Sequence, residues 1–429
     1  MKILGYSDPE YGEFIASLSR RAIPSDRVRE IVAGIITDVD ERGDDALVEL
    51  TQKFDKADLS QGLLVAEEEW AAAEAATEER TREAVAASLR NITLFAQKSQ
   101  RQDWSVLNEQ GARVGERFVP FERVGCYVPG GKAPLVSTAL MTAGFAKAAG
   151  VPEIVAATPC GPDGKVNSEL LYALKAAGVS EVLKVGGAQG VAALALGTNS
   201  VAAVQKIVGP GNDFVVEAKR QLVGAISIDL LPGPSEIMVL ADQSANSAFI
   251  AADLLGQAEH GPDSIVGLVT PSRTLLDEVL QEIERQAATL SRGSYLQQVL
   301  QDGFFAVVVE SLQDGVEVVN AFAPEHLSLV VEDEEHWLPQ VRTASAIYVG
   351  NFSPVAVGDF LAGPSHTLPT GGSGKSFSGL RADQFQRRVS VVHMDAESVA
   401  RSVEFVEEFA RVEGLDAHGR STRIRVSGE

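Results

Sequence analysis

The sequence predicts an α/β protein of two Rossmann-like parallel-sheet domains, with a helical N-terminal segment and a small C-terminal segment. Beyond Val124, short β-branched runs alternate with helix-length stretches, the pattern of a parallel sheet covered on both faces. The alternation comes in two successive blocks. The length, 429 residues, is enough for about two or three domains with sizeable cores.

The elements follow in order. Val28, Ile31, Val32, Ile35, Ile36 and Val39 keep a helical period behind a Ser25 or Asp26 cap, and Gly43 ends the run. A second helix is expected over Asp45 to Phe54. An Ala- and Glu-rich stretch, Glu67 to Gln100, reads as one long helix with an interruption near Asn91. In the first α/β block, strands are expected at Gly125 to Val128, Glu153 to Thr158, Glu181 to Val185, Lys206 to Val208 and Ser227 to Leu230. Helices fall between them. The second block places strands at Glu236 to Leu240, Ser264 to Val269 and Phe304 to Val309, with helices ending at His260 and covering Leu275 to Ala287. From about Arg381 come an alternating run, Val389 to His393, and an amphipathic helix, Ala396 to Phe409. So short an appendage cannot bury much alone and must pack against something else.

Composition narrows the partners. A net charge of -22, from 37 Lys and Arg against 59 Asp and Glu, argues against nucleic acid and anionic membranes, which demand clustered positive charge. The first residues turn polar too early for a signal peptide, and no apolar run reaches membrane-spanning length, so a cytoplasmic protein is expected. Cys126 and Cys160 have no metal-ligand spacing and read as buried free thiols.

The most informative stretch is Gln257-Ala258-Glu259-His260-Gly261-Pro262-Asp263. Gln257 and His260 are three residues apart at the end of a helix, so a carboxamide oxygen and an imidazole can reach one cation, and Gly261-Pro262 opens the helix into a loop. Among the six histidines, His326, His366 and His418 also lie beside a carboxylate or a Gly/Pro turn, whereas His336 and His393 read as surface or packing residues. Three Gly-rich turns follow strand candidates: Pro129-Gly130-Gly131-Lys132, Gly186-Gly187-Ala188-Gln189-Gly190 and Gly209-Pro210-Gly211-Asn212. Each can offer backbone N–H groups to a dinucleotide phosphate, but none completes GxGxxG, since Phe214 takes the third glycine's place. Gly371-Gly372-Ser373-Gly374-Lys375-Ser376 resembles the end of a P-loop. With Pro369 at the required first glycine and no apolar strand leading in, it reads as a mobile loop near the site instead.

Taken together, QAEHGPD from Gln257, PEHL from Pro324, GDFLAGPSHTLPT from Gly358, EGLDAH from Glu413, VGGAQ from Val185, GPGN from Gly209 and GPSE from Gly233 resemble the motifs of the histidinol dehydrogenases, in that family's order. The resemblance implies a zinc enzyme that oxidises L-histidinol through L-histidinaldehyde to L-histidine with reduction of two NAD. It implies zinc ligands Gln257, His260, Asp359 and His418. The implied catalytic pair is Glu325 and His326, with His326 as the base for the hydroxyl proton and Glu325 as the activator of water for the second oxidation. Implied NAD contacts are Tyr127, Gln189 and Asn212. Implied substrate contacts are Ser235, His366 and Glu413, besides Gln257, His260, His326, Asp359 and His418.

The resemblance further implies a homodimer whose C-terminal segment carries Glu413 and His418 into the partner's site. The corresponding division is an N-terminal helical segment, 1–24; a first α/β domain with the zinc and catalytic motifs, 25–126 with 237–380; an NAD-binding α/β domain, 127–236; and an exchanged segment, 381–429. Two departures concern the substrate: Val355 stands where some members carry glutamate near the substrate amino group, and Ser365 where many carry asparagine. The alternatives are a paralogous zinc- and NAD-dependent dehydrogenase of another small polar alcohol, such as a sulfonated diol, a zinc hydrolase, and a non-catalytic metal-binding protein.

Overall fold

The computed structural model describes residues 1–19, 25–130, 134–291 and 293–427. Along the chain run strands β1 (Lys2–Gly5), β2 (Trp104–Leu107), β3 (Arg113–Pro120), β4 (Arg123–Tyr127), β5 (Glu153–Ala157), β6 (Glu181–Leu183), β7 (Lys206–Val208) and β8 (Ser227–Ile228). Then come β9 (Glu236–Ala241), β10 (Ile265–Thr270), β11 (Phe304–Val308), β12 (His326–Val330), β13 (Ala346–Val349) and β14 (Gln386–His393). They form two parallel sheets, ordered β6-β5-β4-β7-β8 and β1-β11-β10-β9-β12-β13, and a small antiparallel sheet, β14-β3-β2. The two-sheet α/β expectation holds.

Both parallel sheets are doubly wound. In the first, β4 leads and the chain winds outward to β5 and β6, then returns to β7 and β8 on the other side; β9, β10 and β11, then β12 and β13, repeat that order. Such an order reverses direction between β4 and β7, opening a crevice at their carboxyl ends, where Tyr127 and Gly209 stand. In the second sheet the equivalent crevice lies past Ala241 and Val330. There the Asp242 carboxylate accepts from the N–H groups of Ser244 and Glu332, both at 2.9 Å, supplying from within the chain the negative group that a phosphate brings to such sites.

The expected division of the chain needs correction. Residues 25–100 do not cover the second sheet: Val32, Ile35, Val39, Leu47 and Ile92 share one core with Val124, Phe145 and Ile207, so these helices enclose the β4–β8 sheet. Helical period fixes which face of a helix is apolar, not which sheet it meets. The segment 1–24 is not only helical. Ahead of the helix Tyr11–Ser17, β1 extends the second sheet alongside β11 in parallel register, a four-residue strand too short to show a period. Residues 104–120, expected in the first domain, instead join residues 386–393 as the antiparallel arm.

The long helix expected over Glu67 to Gln100 is two, Glu67–Ala76 and Glu79–Ser99, parted at Thr77, whose backbone is extended (ψ 124°). Asn91 lies inside the second. Its amide Nδ2 donates to the Leu361 carbonyl at 2.8 Å, a tertiary bond that offsets its weak helix propensity. The helices Ala396–Glu413 and Asp416–Ser427 pack on each other as a hairpin beyond the arm, leaving Phe405, Phe409, Val412 and Leu415 exposed. Among the described residues no helix is long and apolar enough to cross a membrane. Cys126 and Cys160 are buried free thiols, as expected.

Candidate active site

The site is built at the amino ends of β9 and β12. Ala323, in the left-handed region (φ 55°), ends the helix Leu312–Phe322 and turns the chain into Pro324-Glu325, and β12 then starts at His326. Glu325 and His326 are both buried. Glu236, the first residue of β9, brackets them: its N–H donates to Glu325 Oε2 at 2.8 Å, and its carbonyl lies 3.0 Å from His326 Nδ1. A carbonyl only accepts, so Nδ1 carries a proton, and in the neutral form of the ring the lone pair is on Nε2. That Nε2 is buried, has no hydrogen-bond partner, and faces Asp359 Oδ1 at 3.5 Å.

Asp359 is the hub. It sits near the end of the short helix Val355–Phe360, with Oδ1 toward His326 and Oδ2 4.0 Å from His260 Nε2. Burial pushes its carboxyl upward, but His326, His366 and His260 outweigh that and hold it below the ordinary carboxylate range. Burial likewise pulls the His326 imidazolium down, yet Glu325 and Asp359 on either side raise it above the usual histidine value. Glu325, with Oε2 3.6 Å from Nδ1, is driven well above the usual range by burial, more than the His326 charge offsets. Burial lowers His366.

Gln257 lies in the last turn of the apolar helix Ser247–Ala258, and the His260 N–H donates to its carbonyl at 3.2 Å. The Gln257 side chain is 3% exposed, and neither its carboxamide oxygen nor its nitrogen has a hydrogen-bond partner. Leaving such a group unsatisfied costs about 1–3 kcal/mol, so buried amides are almost always paired. Nε2 of His366 is a further buried atom without a partner. These orphaned polar atoms are free to engage a ligand.

Ser235 immediately precedes Glu236 at the same sheet edge, its carbonyl accepting from Ile265 N–H at 3.0 Å. The segment 361–366 is tied across to the other body through Asn91 and through Ser365 Oγ, which donates to the Met141 carbonyl at 3.1 Å, so Asp359 and His366 lie where the two bodies meet. The loop Gly371 to Lys375 is anchored rather than loose: Gly371 N–H donates to Glu236 Oε1 at 3.1 Å, Gly233 N–H donates to Thr370 Oγ1, and Lys375 Nζ donates to the Ala321 carbonyl at 2.6 Å. Val355 is 5% exposed and packs into the core beneath its helix, and the Ser365 hydroxyl is spent on Met141 and on the Thr367 N–H.

Two implied residues stand apart. Glu413 ends the helix Ala396–Glu413 and His418 lies in the next helix, both exposed on the C-terminal hairpin. Among the described residues of one chain, no three His, Cys, Asp or Glu side chains are grouped closely enough to hold a metal. Within one chain Asp359 faces His260, three residues from Gln257, while His418 lies on the exposed hairpin.

The three implied cofactor residues do share a cavity, of about 1190 Å³, at the crevice of the first sheet. The Tyr127 hydroxyl accepts from Gly187 N–H at 2.9 Å, Gln189 opens the helix Gly187–Leu196, and Asn212 Oδ1 caps the helix Asp213–Leu222 by accepting from the N–H groups of Phe214 and Val215. Gly131 and Lys132 lie outside the described residues. Phe54 and Asp55 also line the cavity and escaped the sequence reading, because they end an ordinary amphipathic helix and belong to no motif.

Two doubly wound sheets, a nucleotide-sized crevice on one and an acid-base pair at the edge of the other define an α/β oxidoreductase. The family model described as histidinol dehydrogenase matches residues 18–426. The histidinol dehydrogenase of Geobacter metallireducens is 41% identical over 432 residues, covering 100% of this chain and 99% of that protein, and that of Syntrophotalea carbinolica is 42% identical over 429 residues, covering 99% of each. A solved histidinol dehydrogenase from Elizabethkingia anophelis superposes with a TM-score of 0.95 at 32% identity, covering 100% of this chain and 98% of that one. An acetylating aldehyde dehydrogenase from Geobacillus thermoglucosidasius shares the fold alone, with a TM-score of 0.51 at 13% identity over 90% of this chain and 97% of that one. The chain belongs to the histidinol dehydrogenase family.

Proposed function

We propose that this protein, a cytoplasmic enzyme, oxidises L-histidinol through L-histidinaldehyde to L-histidine with reduction of two NAD, and that it holds one zinc per site. The observation that carries the metal is the buried, unpartnered carboxamide of Gln257 one turn from His260, on the helix facing Asp359. A carboxamide oxygen, two imidazoles and a carboxylate suit an open zinc site. Gln257, His260 and Asp359 would hold the ion together with His418 of the partner subunit. When bound, zinc supplies a Lewis-acid anchor for the imidazole and amino nitrogens of the substrate. NAD in the Tyr127 cavity supplies the hydride acceptor.

The chain's own groups do the proton work. His326 Nε2, its tautomer fixed by the Glu236 carbonyl, takes the alcohol proton as hydride leaves the adjacent carbon. Burial excludes water from that transfer. Ser235, His366 and Glu413 of the partner subunit serve as further substrate contacts. For the second oxidation Glu325 takes the proton of the water that adds to the aldehyde, a role suited to a carboxyl whose proton affinity burial has raised. Glu325→Gln should therefore slow oxidation of histidinaldehyde by roughly 10²-fold or more while slowing the alcohol step much less. Single-turnover measurements on each substrate check this; equal losses would leave Glu325 only the task of holding His326.

A homodimer completes this reading. The exposed apolar residues of the C-terminal hairpin and arm, among them Phe405, Phe409 and Val392, need a cover, and the two implied residues missing from one chain's site lie on that hairpin. A panel of alcohols with NADH formation as the readout tests the substrate. L-Histidinol should be oxidised well ahead of sulfonated diols. Oxidation of another alcohol without histidinol turnover would move the enzyme to a paralogue, and turnover without NAD would make it a hydrolase.

A further inference from the structure

The cofactor cavity rests on a buried ion pair that no motif marks. Lys219 and Asp229 are each wholly buried and in direct contact. Lys219 lies two turns along the helix that Asn212 caps, and its side chain runs back toward the helix start, as helical side chains do, so that Nζ donates to the Gly209 carbonyl at 3.0 Å. Asp229, just past β8, accepts from Gly209 N–H at 2.7 Å through its other oxygen. Both backbone polar groups of one glycine are thus held by opposite buried charges.

Gly209 is where the crevice is most tightly built. Its φ of +120° excludes other residue types, and a Cβ there would stand 2.1 Å from the Tyr127 carbonyl oxygen, so the loop is seated directly on the Tyr127 backbone. Tyr127 in turn fixes Gly187 through its hydroxyl. The chain of contacts runs from Asp229 through Gly209 and Tyr127 to Gly187, and Tyr127, Gly187 and Asn212 all line the cavity. Stability alone does not call for this arrangement: a buried ion pair replaced by apolar residues of similar volume is often neutral or more stable, because desolvating two charges costs several kcal/mol per ion.

We propose that Lys219 and Asp229 are positioning residues for the dinucleotide, holding the Gly209–Asn212 loop in its binding shape. The proposal rests on the assignment of NAD to this cavity. The test is NADH binding by titration calorimetry, with KM values, for the double variant Lys219→Met/Asp229→Leu, which removes both charges and leaves neither alone. The dissociation constant for NADH and the KM for NAD should rise roughly 10- to 100-fold, with zinc content and the KM for L-histidinol near wild type. A purely structural pair would lower the melting temperature without this split.

Wild-type NADH affinity in the folded double variant overturns the proposal. Should that variant not fold, Asp229→Asn carries the same test, because asparagine keeps the shape but cannot accept from Lys219 and Gly209 through two oxygens; unchanged NADH binding there overturns it equally. Gln189→Ala serves as the reference. If it weakens NADH while the pair variants do not, only the pair's role falls, and if none of them weakens NADH, the cavity is not the cofactor site.

Discussion

His326→Gln is expected to lower kcat for L-histidinol by roughly 10²- to 10⁴-fold, the range lost when a positioned general base is removed. The residue is well suited to the assay because it is not one of the implied zinc donors. Its Nδ1 is committed to the Glu236 carbonyl, and only Nε2 faces the site. Zinc content, measured by elemental analysis, should stay at one per subunit, and the acid limb of the pH profile for kcat/KM, which reports deprotonation of the imidazole, should disappear. Loss of zinc together with activity would instead make His326 a ligand, and retention of rate with zinc bound would remove it from the chemistry.

The second large effect concerns the shared site. Chains carrying His418→Ala and chains carrying His326→Ala should each be nearly inactive alone. In a heterodimer the first chain contributes its intact His326 and receives His418 of the partner subunit, which rebuilds one of two sites. Equal mixing gives half heterodimers, so activity should recover to about a quarter of wild type once subunits have exchanged. The basis is structural: Asp359 faces His260, three residues from the buried Gln257, within a chain, while His418 sits exposed on a hairpin whose apolar face is open. Heterodimers that form without recovering activity would place His418 in its own chain's site.

Much of the site was legible because its residues come in short, chemically dense runs. Gln257 and His260 are three apart at a helix end, and Glu325-His326 follow a proline at a strand entry, so local spacing alone brings each pair to one place. The strands of the first parallel sheet, and β9, β10 and β11 of the second, were legible as short β-branched runs, whereas β12 and β13 were not among the expected strands. What escaped depends on contacts distant in sequence. Glu236 brackets Glu325 and His326 with its backbone, which no side-chain pattern reports. Asn91 reads as a helix breaker until its bond to Leu361, 270 residues away, is seen. The helices 26–99 carry ordinary apolar stripes that fit either sheet, and only the packing of Ile92 and Leu47 beside Phe145 and Ile207 shows which they cover. Strands of four residues, such as β1 and β2, are too short to carry a period.

The most direct test is the number of NADH formed per L-histidinol consumed by purified protein, taken before zinc is stripped with a chelator, after stripping, and after zinc is restored. A yield of about two that vanishes with the metal and returns with it follows from the four-electron oxidation at a zinc-anchored site. A yield of about one, or turnover indifferent to the chelator in protein shown to have lost its metal, would contradict it.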